Sequence, residues 1–327
     1  MTEEHFPLSA SRLGLGSASL GSRVGLRQGK RVVEQAIDNG INWFDTAPAY
    51  GDGQAESALG EVLARSPRDS YVICTKVGIA PRQMGLAKRT LKPIARKILS
   101  GLPSMRAKLA RSNPVRKETI TPDLITRSLQ SSLRALRTDY VDLLLLHDPT
   151  ENLLADADAR EAVLTALQSA RKSGHVRFIG ATGHADRLIP HAADLKPMHH
   201  LQCAVSVHGN NLPRAQSSFA LYSVGRLAAQ IQDGMAASQD LATAIRDHAN
   251  AVSDQDAARI LAFDYALLEA DGKGPVLMSM LSGNHLDTGL ANLRRFESMV
   301  QTDDFRQRVY RIVTALREHL ETMQGSV

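Results

Sequence analysis

The chain has 327 residues and a formal charge of +5, from 39 lysines and arginines against 34 aspartates and glutamates. Its 43% hydrophobic and 22% charged residues supply enough apolar surface to offset chain entropy, which excludes disorder over most of the length. Two cysteines, Cys74 and Cys203, are too few for a disulfide scaffold, apolar runs such as Leu143–Leu146 fall far short of a membrane span, and Met1–His5 lacks the basic-then-apolar order of a secretion signal.

The expected setting is therefore cytoplasmic and reducing. Taken in chain order, short apolar runs alternate with helical patterns. Leu13–Gly16 is a first strand, followed by a helix from Gln28 that stops at the Asn39-Gly40 pair. Ile41–Phe44 is a second strand and Ala55–Leu63 a second helix; Tyr71–Thr75 is a third strand. Pro122–Leu136 is a helix that Thr121 is placed to cap, then come a strand over Val141–Leu146, a helix over Arg160–Ser173 and a strand over Val176–Ile179. Leu201–Val205, Ala220–Ser223 and Pro275–Met278 complete eight strands, with helices over Ser253–Glu269, His285–Met299 and Asp303–Met323. Length alone would allow two domains, but eight alternating βα units can close into one (β/α)8 barrel, and barrels of this kind fold as single domains. A doubly wound sheet competes. The glycines of residues 14–21 miss the GxGxxG spacing by two residues, however, and the next helix starts too late to meet a pyrophosphate. No phosphate-binding P-loop pattern is present.

Charge is concentrated in one place. Residues 77–117 hold eleven lysines and arginines and no acid, leaving 28 basic and 34 acidic residues elsewhere, a net of −6. Within this segment Leu91, Ile94, Ile98, Leu102, Met105 and Leu109 recur at helical spacing, while Pro93 and Pro103 argue against one continuous helix. The segment reads as a basic insertion of two short amphipathic helices after the third strand. A solvated surface, a contact with an anionic ligand or partner, and an anionic membrane surface are its three readings, the last being the weakest. With no aromatic residue to stack on bases, it does not suit nucleic acid.

The chemistry gathers at strand ends. Asp45 closes the second strand, Lys76 follows the third and His147 the fourth, with Tyr50 in the loop after Asp45. In a βα barrel these ends form the active-site mouth, although polar residues also collect there simply because water is near. The five histidines at 184, 191, 199, 200 and 208 invite a metal site, but their spacings match no usual ligand pattern and no metal is assigned.

Here the sequence resembles the aldo-keto reductase family, and within it the aldose-dehydrogenase-like members. The resemblance is carried by Gly40–Gly51 (GINWFDTAPAYG), Glu56–Leu63 (ESALGEVL), Tyr71–Lys76 (YVICTK), Leu133–Pro149 (LRALRTDYVDLLLLHDP), Arg12–Leu20 and Gly174–Gly183. It implies a catalytic set of Asp45, Tyr50, Lys76 and His147. In this set Tyr50 gives a proton to the carbonyl oxygen during hydride transfer, Lys76 favours the tyrosinate, Asp45 holds the lysine and His147 orients the oxygen. Trp43 lines the substrate pocket or packs within the barrel. The implied cofactor is NADPH or NADH, held by Thr182, Gln202, Tyr222, Ser223, Ser279, Ser282 and His285. Thr182-Gly183 stands where the family has Ser-Asn, and His285 where Arg is often found, so the choice between the two nucleotides stays open. The implied partner is a small carbonyl or sugar substrate, and the insertion's cations, placed next to Lys76 as a lid over the mouth, would favour an anionic one. The alternative is a non-catalytic nicotinamide-binding barrel that acts as a sensor or scaffold through the insertion.

Overall fold

The structure, a computed structural model, describes residues 10–81, 116–191, 193–195, 198–208, 218–270, 273–281 and 284–324. Strands β1 (Leu13–Gly16), β2 (Trp43–Asp45), β3 (Val72–Val77), β4 (Val141–His147), β5 (Val176–Gly183), β6 (His200–Ala204), β7 (Ser218–Tyr222) and β8 (Val276–Met278) pair in parallel and in chain order. β8 pairs back to β1, so the sheet closes into the expected eight-stranded barrel. The basic insertion leaves and returns at one point beside Lys76. Ile79 bridges Lys117 antiparallel, Ala80 N donates to Arg116 O at 3.0 Å and Glu118 N to Gly78 O at 2.9 Å. The two helices expected in the insertion fall outside the described residues.

The two faces of each strand separate two cores, because side chains alternate with period two. Trp43, Val72, Cys74, Leu143, Leu145, Phe178, Ala220 and Leu277 fill the barrel interior. Their neighbours Phe44, Ile73, Leu144, Ile179, Leu201 and Leu221 face the helices in a larger outer core. Gly14 makes room inside, since a Cβ there would lie 2.5 Å from Leu277 and 3.0 Å from the Trp43 ring.

The outer layer comprises α1 (Leu26–Asp38), α2 (Ala55–Leu63), α3 (Pro122–Leu136), α4 (Glu151–Ala155), α5 (Ala157–Lys172), α6 (Ala185–Leu188), α7 (Val224–Ala237), α8 (Gln239–Ala249), α9 (Asp254–Ala270), α10 (His285–Met299) and α11 (Asp303–Gln324). Thr121 caps α3 by accepting from Leu124 N at 3.2 Å, and Asp156 caps α5 by accepting from Ala159 N at 3.0 Å, each satisfying an amide that the first turn leaves open. Expected and observed ends differ mostly by a few residues. Strand two begins at Trp43 rather than Ile41 and includes Asp45, and strand five runs on to Gly183 rather than stopping at Ile179. Helices α4, α6, α7 and α8 were not expected.

Polar clamps tie the outside of the barrel. Asp142 on β4 is buried and accepts from Ile73 N (2.9 Å), Arg68 (2.7 Å) and Arg177 (3.0 Å), with both guanidinium groups over the Tyr140 ring. Asp264 on α9 joins His248 of α8 (2.8 Å) to Arg295 of α10. No described helix is both long and apolar enough to cross a membrane.

Candidate active site

The strand alternation that buries Cys74, Leu145 and Ala220 inside the barrel carries Lys76, His147 and Tyr222 to the same inner face, two residues further along each strand. Asp45 stands two residues beyond Trp43 in the same way. Register aligns His147 with Thr182, Thr182 with Gln202 and Gln202 with Ala220, so this inward-facing row runs from His147 at the C-terminal mouth to the level of Ala220 in the interior.

Asp45, Tyr50, Lys76 and His147 come together at this mouth. Lys76 is fully buried, and its Nζ donates to Asp45 Oδ1 (2.7 Å), Asp45 Oδ2 (2.6 Å) and Thr46 O (2.8 Å). The same ammonium lies 4.8 Å from the centroid of the Tyr50 ring, and the His147 ring meets Tyr50 edge-on at 5.8 Å.

Tyr50 reaches this place from a short turn over Tyr50–Asp52 in which Gly51, Asp52 and Gly53 take φ values of +60°, +59° and +81°. Glycine is required at 51, because a Cβ there would lie 1.7 Å from Leu20 O. The β1 loop is thus pressed against the turn that carries Tyr50.

Electrostatics assign protonation states. Burial alone would lower the Lys76 pKa, but the Asp45 carboxylate more than reverses this and holds the ammonium charged. Burial raises the Tyr50 phenol above its ordinary value, partly opposed by Lys76 and reinforced by Asp45. The Lys76 ammonium acts toward the tyrosinate, but desolvation of the anion outweighs it, and Tyr50 rests as the neutral phenol. His147 is pushed down to about 3 by burial, with Lys76 and Lys117 acting in the same direction against Asp148, so its imidazole is neutral.

The remaining expected residues divide into three groups. Thr182 and Gln202 are buried along the inward-facing row, and Tyr222 ends β7 with its ring part-exposed and its hydroxyl donating to Gly183 O at 3.4 Å. Ser223 follows in a left-handed conformation at the start of α7. Two hydrogen-bonding side chains beside an aromatic face suit a flat ring bearing a carboxamide, so the donor set fits the nicotinamide end of the implied cofactor. Ser279 and His285 are exposed, the first 2.9 Å from Ser19 Oγ and the second opening α10, while Ser282 lies outside the described residues. Trp43 is wholly buried beneath the mouth, packed within the barrel with its ring 5.6 Å from that of His200. The histidines that invited a metal take separate neighbours: His191 pairs with Glu151 at 2.8 Å, His208 with Glu321 at 3.5 Å, and His199 meets Phe178 edge-on.

Sequence reasoning passed over several groups at the mouth. Ser17 Oγ and Thr46 Oγ1, just past the ends of β1 and β2, are buried without a hydrogen-bond partner among the described residues. Asp148 takes Lys117 on one oxygen and Arg187 on the other. Position after a strand end was the available signal for all three.

The aldo/keto reductase family model matches residues 12–217. A D-threo-aldose 1-dehydrogenase from a Pseudomonas species is 34% identical over 177 residues, covering 53% of this chain and 50% of that protein. An L-galactose dehydrogenase from Arabidopsis thaliana is 30% identical over 181 residues, covering 54% and 46%. The match thus spans about half the length of these relatives. An aldo-keto reductase from Bacillus halodurans, solved in its holo form, has a TM-score of 0.66 at 20% identity over 93% of each chain, a likeness of fold.

Proposed function

The chain belongs to the aldo/keto reductase family, and from that premise we propose that it is an oxidoreductase interconverting a carbonyl and an alcohol on an aldehyde, ketone or sugar, with NADPH or NADH as cofactor and Tyr50 as general acid and base. The observation that carries the reading is the buried Asp45–Lys76 pair set 4.8 Å beneath the Tyr50 ring, with His147 across the ring.

The cofactor, when bound, supplies or accepts the hydride. Thr182, Gln202, Tyr222 and Ser223 are the residues that would hold its nicotinamide end, and Ser279, Ser282 and His285 those toward its other end. In the reducing direction the carbonyl oxygen gains charge as its carbon gains hydride, and the Tyr50 hydroxyl gives that oxygen its proton. The tyrosinate left behind faces the Lys76 ammonium, which Asp45 keeps charged, so the proton leaves at lower cost than from an isolated buried phenol. His147 stays neutral and can donate one N–H to the same oxygen without competing as the acid. Oxidation runs these steps backward.

The names of the two relatives support a sugar as the substrate, and the eleven cations of residues 77–117 support an anionic one. The test is to mix the protein with NADPH or NADH and a panel of aldehydes and sugars, carboxylated and phosphorylated ones included, and follow the reduced cofactor's absorbance. Turnover that Tyr50→Phe lowers by about 10²–10⁴-fold, with cofactor binding retained, is the expected outcome. Full activity in Tyr50→Phe would sink the assignment, and cofactor binding without any turnover would favour the sensor or scaffold reading.

A further inference from the structure

The His147-Asp148-Pro149 turn holds a carboxylate that the proposed reaction does not use. Asp148 takes a left-handed backbone, φ +54°, an uncommon conformation for a residue with a side chain and one that Asp and Asn tolerate best. Its amide donates to Thr182 O at 2.7 Å, extending the β4–β5 ladder one step past the His147–Thr182 pair. Its two oxygens reach in different directions. Oδ2 accepts from Lys117, on the returning limb of the basic insertion, and Oδ1 accepts from Arg187 of α6 at 2.7 Å. Arg187 also donates to Pro149 O at 3.3 Å. The side chain is 23% exposed, so its pairs are less screened than pairs fully in water. Burial alone would raise the carboxyl's pKa, but Lys117 and Arg187 together hold it below the ordinary range, so Asp148 is anionic.

We infer that Asp148 is a positioning residue, a single carboxylate that locks the loops after β3 and β5 onto the end of β4 and so fixes His147 and Thr182 at the mouth. The inference rests on the reading of His147 as the group that orients the carbonyl. Three loops converge on this carboxylate, and the ends of their strands carry Lys76, His147 and Thr182. Lys117 is bridged to Ile79, three residues beyond Lys76, so one continuous path of contacts runs from the lysine strand through Lys117 to Asp148 and His147. Arg187 closes the path on the other side, four residues past Gly183. A salt bridge that served stability alone could lie anywhere on the rim; this one adjoins His147 and neutralises a cation that faces it.

Asp148→Asn tests the inference, because asparagine keeps the left-handed backbone and the ladder amide while removing the charge. Turnover should fall tenfold or more with the carbonyl substrate's KM changed less than threefold and the melting temperature within a few degrees. Lys117→Met and Arg187→Met should each lower turnover, and combining either with Asp148→Asn should add little further loss. Asp148→Asn within twofold of the parent, or losses that simply multiply, would overturn the inference. Hydrogen exchange separates it from the reading beneath. The variant should speed exchange at residues 116–120 and 183–188 together, with or without a known substrate, and unchanged exchange in both would also overturn it. A parent protein inert toward every carbonyl, with that coupled exchange present, would overturn only the role given to His147.

Discussion

His147 and His200 are held neutral by the same two influences, burial and the Lys76 ammonium, and both are pushed down to about 3. An unfolded histidine titrates near 6.5, so between about 6.5 and 3 the unfolded chain binds more protons than the folded one. The stability that comes from keeping these rings neutral is complete above about pH 6.5 and is lost as pH falls toward 3. At pH 5 the loss is on the order of 1–2 kcal/mol for each ring. The urea midpoint should therefore drop between pH 7 and pH 5, and His147→Gln with His200→Gln should flatten most of that slope. An unchanged slope in the double variant would show that other groups carry it. These two histidines were not equally legible. His147 follows a run of four leucines and so announces a strand end, whereas His200 sat in a cluster of histidines that suggested metal and instead packs on Trp43 inside the barrel.

Among the elements, the turn that carries Tyr50 is the least replaceable. Gly51→Ala puts a methyl group where the Leu20 carbonyl already is, and the backbone of either the β1 loop or the turn must move. The expected outcome is a lower melting temperature together with at least a tenfold fall in turnover; a variant that melts and turns over like the parent would mean the turn has slack. The sequence placed Tyr50 in the loop after Asp45, but not the left-handed run at Gly51, Asp52 and Gly53 that carries it. It did not show α7 and α8, although Val224, Leu227, Ala228, Ile231 and Met235 are buried at helical spacing. Alanine and glycine dilute the contrast between the two faces of α7, and Ser223 opens it from a left-handed conformation rather than as an ordinary cap. Ser238 then ends one helix and caps the next, accepting from Leu241 N at 3.3 Å, so no break in composition separates the two.

For the whole molecule, barrel closure was legible because eight apolar runs of strand length alternate with helical patterns, and parallel pairing leaves few ways to arrange them. The meeting of Lys117, Asp148 and Arg187 was not, since it joins loops that only the closed barrel brings together. Closure itself is uneven. β4 and β5 pair from Val141–Val176 to His147–Thr182, while β7 and β8 share one register pair, Leu221–Val276, supported by Leu221 N donating to Pro275 O at 3.1 Å. Local opening follows the weakest ladder, so amide exchange at Leu221, whose N–H crosses this seam, should be among the fastest in the barrel. Tyr222 ends the first of these strands and Ser279 directly follows the second. A nucleotide spanning them would bind only the closed seam and therefore stabilise it by mass action, slowing exchange there in proportion to its occupancy. Exchange at this seam that ignores saturating NADPH and NADH would place both nucleotides elsewhere. The cylinder thus has a zipper on one side, and the ligand that the mouth is read to accept would also be its fastener.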